Sequence, residues 1–68
     1  MTADWLKAAG LALFGDRWQA PLARAIGRSR NCVGRWSAGI YPLPDEDAEK
    51  IVDLLAERQG EIERLIYR

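Results

Sequence analysis

Residues Gln19–Trp36 read QAPLARAIGRSRNCVGRW, two short apolar-periodic segments that meet at Gly27. Leu22, Ala23 and Ile26 put one apolar face on the first segment, and Val33 and Trp36 put one on the second, the spacing of two helices packed across a turn. Arg17, Arg24, Arg28, Arg30 and Arg35 surround this pattern, and no acidic residue occurs from Arg17 to Pro44. An apolar frame inside an acid-free basic block predicts a helical unit that meets a polyanion.

The flanking residues set the element boundaries. Gly27 suits the left-handed residue that closes a helix, and Ser29 carries the side-chain oxygen an N-cap requires, so a helix is expected from Arg30 to about Ser37. Gly39 stops it. Tyr41-Pro42-Leu43-Pro44 is an extended linker, because a residue before proline disfavours helix. Upstream, Pro21 lacks an amide hydrogen and is cheap only in a first turn, which places the start of its helix near Trp18; a cap at Asp16 would cost Pro21 a hydrogen bond. Thr2 caps a first helix with Asp4 in its first turn and an apolar stripe of Trp5, Leu6, Ala9 and Leu13, ended by Gly15 and Asp16. Asp45, Glu46 and Asp47 suit the positive N-terminus of a last helix, at which the macrodipole accounts for them without a metal. That segment carries Ile51, Val52, Leu54, Leu55, Ile62, Leu65 and Ile66. Gly60 leaves two readings: one helix with a seam at Ile51, Leu55, Arg58, Ile62 and Leu65, or two helices with Leu65 and Ile66 folded back.

At 68 residues the chain is one domain, small enough that it buries only about 60% of its unfolded surface. One cysteine and no histidine exclude an internal disulfide and the usual zinc sites, so no metal and no cofactor is expected. Oligomerisation is the remaining way to complete a small core. No histidine, activated cysteine or carboxylate pair in a cleft is present to build a catalytic mechanism, so the chain does not read as an enzyme. No apolar run reaches the roughly 20 residues of a membrane span, and the start lacks the order of a secretion signal; a cytoplasmic protein without a membrane partner is expected. The formal charge of zero conceals segregation. Residues 1–16, 17–44 and 45–68 carry −1, +5 and −4.

A helix turns by about 100° per residue, which gathers Arg30, Gly34, Asn31 and Arg35 into one arc and sets Val33 and Trp36 opposite its centre. The helix is therefore basic in front and apolar behind, with Cys32, closer to Trp36 than to the front, a partly buried filler. Arginine offers paired donors to guanine, asparagine pairs with adenine, and glycine admits close approach of the backbone. Arg30, Asn31, Gly34 and Arg35 are the base-reading candidates. Arg17, Gln19, Arg28 and Ser29 are the candidates for phosphate. Trp5 and Trp36 read as core, and Trp18 as packed over the first helix.

With these residues the chain resembles the Cro/repressor-like helix-turn-helix family, the lambda-repressor-like DNA-binding domains. Gln19 begins the pattern, Ala23 is the small residue at the helix crossing, Gly27 is the turn glycine, and Val33 and Trp36 are the apolar positions of the recognition helix. Gly39 with Pro42 and Pro44 matches an ending found in small phage-type and anti-CRISPR-associated-type regulators. The resemblance is sharp over residues 16–44. It implies an all-α domain of four or five helices, with the helix-turn-helix at about 18–38 and a C-terminal segment, 45–67, for packing or dimerisation. It further implies a homodimeric, sequence-specific transcriptional repressor that docks in the major groove of palindromic operators on double-stranded DNA, in a bacterial cell or phage-infected host. Leu65, Ile66 and Tyr67 are the first candidates for the dimer contact. The other functional class open to the sequence is a protein-interaction module, an antitoxin-like partner whose tail grips another protein. Two positions depart from the family: Pro21 within the second helix, and Arg28 where an aliphatic residue is usual, which leaves Arg28 either to pack the turn differently or to point at phosphate.

Overall fold

The computed structural model describes residues 2–67 and contains four helices among them: α1 (Ala3–Phe14), α2 (Gln19–Ile26), α3 (Arg30–Ser37) and α4 (Asp45–Ile66). Local chemistry sets each boundary. Thr2 Oγ1 accepts the Trp5 amide at 3.1 Å, and Ser29 Oγ accepts the Cys32 amide at 3.1 Å, each satisfying an amide that the first turn leaves without a backbone partner. Trp18 holds the capping position of α2 with no side-chain cap, which puts Pro21 in the first turn, where it displaces no hydrogen bond.

Two turns close with the same geometry. Gly27 (φ 76°) is followed by a 2.9 Å bond from the Arg28 amide to the Ala23 carbonyl, and Gly39 (φ 78°) by a 3.0 Å bond from the Ile40 amide to the Arg35 carbonyl. Both are left-handed closures in which a late amide reaches back over the last turn to an otherwise open carbonyl.

One core joins the helices. Leu6, Leu22, Val33 and Ile51, one from each helix, are fully buried, each contributing about 1.5–3 kcal/mol over its exposed state. Trp36 lies in the same cluster, and Trp5 and Cys32 pack at its edge. Trp18 is buried against α1 at a place shaped for it: a β-carbon on Gly10 would sit 2.2 Å from the indole ring. The close fit accounts for a glycine inside a helix, where it is otherwise unfavourable.

α4 runs unbroken through Gly60, so of the two readings of the tail the single helix is the one observed. Its 22 residues span about 33 Å, and the molecule measures 43 × 22 × 21 Å. Asp47, Ala48 and Ile51 are buried and Leu54 and Leu55 partly so, whereas Ile62, Leu65, Ile66 and Tyr67 are exposed. The second half of α4 thus leaves the core behind, and Leu65 and Ile66 do not fold back. No helix among the described residues is long and apolar enough to cross a membrane.

Candidate nucleic-acid interface

α3 is held from behind. Val33 is fully buried, Trp36 nearly so, and Ser37 is a buried polar residue on the same side. Ser37 Oγ donates to the Gly34 carbonyl at 3.0 Å and accepts from Gln19 Nε2 at 3.3 Å. The start of α2 is thereby tied to the end of α3, and the hydroxyl is satisfied as both donor and acceptor. In front, Arg30, Asn31 and Arg35 are exposed. Gly34 lies between them, and a β-carbon there would meet nothing within 4 Å. Alanine is the better helix former by about 1 kcal/mol, and no packing contact within this chain calls for glycine at that position.

An open cleft of about 460 Å³ runs beside this face, lined by Asp16, Arg17, Gln19, Ala20 and Arg30. It brings the uncapped N-terminus of α2 together with two arginines, a setting that attracts anions. Asp16 is the one carboxylate on its wall. Of the phosphate candidates, Arg17 and Gln19 meet here, with Arg30 from the reading set. Gln19 has spent one side-chain donor on Ser37 and retains the second. Ser29 uses its oxygen as a cap, which leaves the hydroxyl proton free to donate outward.

Arg28, the remaining phosphate candidate, makes an ion pair within the chain. Its Nε and Nη2 donate to Asp47 Oδ1 and Oδ2, each at 3.0 Å. The Asp47 side chain is fully buried while that of Arg28 is 40% exposed, so the carboxylate is sunk into the domain and the guanidinium closes over it. The hydrogen bonds to Asp47, and then its charge, hold the Arg28 pKa above its ordinary value. Lys50 adds a long 3.5 Å bond from Nζ to the Ile26 carbonyl. The turn between α2 and α3 is therefore fastened to the first turns of α4 by an ion pair and a lysine-to-carbonyl hydrogen bond.

Sequence reasoning missed Asp47, Ser37 and Gly10. Asp47 looked like one of three equivalent N-terminal acids, yet it lies four residues before Ile51 and shares that residue's inward face. Ser37 lies four residues past Val33 by the same rule. Gly10 gave no local signal, because its role is defined by a ring from elsewhere in the chain. Leu65, Ile66 and Tyr67 stand together at the projecting end of α4, away from the cleft residues in sequence and outside the core. Among the described residues no group of histidine, cysteine and carboxylate side chains could hold a metal ion. Searches against protein-family models, curated proteins and solved structures find no match for this chain.

Proposed function

We propose that this protein is a sequence-specific double-stranded DNA-binding transcriptional regulator of the lambda-repressor-like helix-turn-helix type, acting as a repressor and engaging a palindromic operator as a homodimer. The observation that carries this reading is α3 itself. Its buried side anchors on Val33 and Trp36, and its exposed side offers Arg30, Asn31 and Arg35 around a glycine with open space above it. A major groove admits such a helix, and those side chains match its donor and acceptor pattern. Arg17, Gln19 and Ser29, with the amides that open α2, hold the phosphates beside it. α3 is eight residues long, about 12 Å, which spans only a few base pairs of duplex. A second copy supplies the remaining specificity. The exposed end of α4, with Ile62, Leu65, Ile66 and Tyr67, is the surface assigned to that copy, setting two α3 helices about 34 Å apart, one turn of DNA.

The test is titration of the purified protein against the DNA upstream of its own gene and against unrelated duplex, at two salt concentrations. Specific binding that weakens steeply with salt is expected, because counterions are released. Equal weak binding to every duplex sinks the proposal. Sedimentation of the same sample addresses the second reading, the protein-interaction module, which the same exposed end of α4 favours. A self-dimer that shifts the operator supports the repressor, and a monomer that binds no DNA but binds the product of a neighbouring gene supports the module.

A further inference from the structure

The loop after α3 is built to return to the helix it leaves. Left-handed Gly39 reverses the chain, its amide donates to the Trp36 carbonyl at 3.2 Å, and the Ile40 amide donates to the Arg35 carbonyl at 3.0 Å. Leu43 is buried two residues after Tyr41, so Tyr41 is held from both sides while 54% of its surface stays exposed. The Arg35 guanidinium carbon lies 5.9 Å from the centre of the Tyr41 ring, within the range of attraction between a cation and an aromatic face. The ion pairs among the described residues are Arg28 with Asp47 and Arg58 with Glu61, so the ring is the neighbour that meets the charge of Arg35.

An exposed arginine samples many rotamers, and fixing one on binding carries an entropic cost. A guanidinium held within reach of an aromatic face is restricted relative to a free one, and its N–H edge remains open for paired hydrogen bonds. We infer that Tyr41 is a positioning residue for base recognition: its ring seats Arg35 at the end of α3 and thereby sharpens the discrimination that Arg35 exerts. The seat is a property of the free protein; its consequence rests on the DNA reading above.

Two measurements test it. In the free protein, the side-chain proton resonances of Arg35 should carry an upfield ring-current shift that Tyr41→Phe keeps and Tyr41→Ala abolishes; no shift in the wild type overturns the seat. On the operator, Tyr41→Ala should reduce the preference for the base read by Arg35 about two- to fivefold, with the salt slope unchanged, because tyrosine adds no charge to the phosphate contacts. Tyr41→Phe should retain the preference, and Tyr41→Ala should cost nothing further in an Arg35→Ala background. Loss in Tyr41→Phe equal to that in Tyr41→Ala, or additive losses in the double variant, overturns the positioning role. A wild type that carries the shift but binds every duplex alike overturns the DNA reading and the consequence with it, leaving the seat intact; an Arg35→Ala that binds the operator as well as wild type overturns the consequence alone.

Discussion

The two turns that flank α3 share a left-handed glycine and the same reach-back hydrogen bond, yet they hand the chain on to opposite tasks. After Gly27 comes Arg28, clamped on the buried Asp47, and then Ser29, the cap of α3. After Gly39 come Ile40 and Tyr41, both exposed. Backbone geometry alone therefore does not decide whether a turn is structural or available. The residue after the glycine does, through the partner that the rest of the fold supplies. One turn is spent on holding the domain together, and the other is left facing out beside α3.

Substitutions at these turns separate the two roles. Arg28→Ala has the largest expected effect, a loss of stability exceeding that of every other variant named here, because it leaves the Asp47 carboxylate buried without a partner. Asp47→Ala should cost less, because the half-exposed Arg28 can turn to water; urea denaturation of both variants checks the order, and equal losses would mean that the carboxylate is hydrated. Gly27→Ala and Gly39→Ala should each lose about 1–2 kcal/mol from left-handed strain, since neither added methyl meets an obstacle. Unequal losses there would show that the turns are less alike than their dihedral angles. Between the turns, Gly34→Ala should raise stability by up to about 1 kcal/mol and weaken operator binding, a combination read by thermal melting and titration on one sample. Smallest of all, Ile40→Ser should move stability by no more than about 0.5 kcal/mol; a larger loss would place the second turn among the structural elements.

The sequence disclosed what local chemistry determines. Thr2 and Ser29 as caps, Gly27 and Gly39 as stops, and the start at Trp18 forced by Pro21 are all encoded within a few residues of where they act. The inward faces of α1 and α3 followed from periodicity. The pair between Arg28 and Asp47 was not legible, because it spans 19 positions and depends on how α4 lies against the turn. Gly60 was undecidable for a different reason: glycine in a helix and glycine after one look alike until the φ angle is known, and here the helix continues. On the candidate interface, the helical period separated the exposed Arg30, Asn31 and Arg35 from the buried Val33 and Trp36. It could not indicate that Gln19 would bond to Ser37, or that Tyr41 would return to Arg35 across a turn.

The clamp of Arg28 on Asp47 also bears on how the domain opens. Arg28 is one residue from the cap of α3, and Asp47 lies in the first turn of α4, so neither helix start can fray without drawing on the other. Amide hydrogens of Cys32 and Val33 should therefore exchange with solvent in the same opening event as those of Ala48 to Ile51, as one cooperative unit. The amides of Ile62 to Ile66, beyond the core, should exchange earlier and independently.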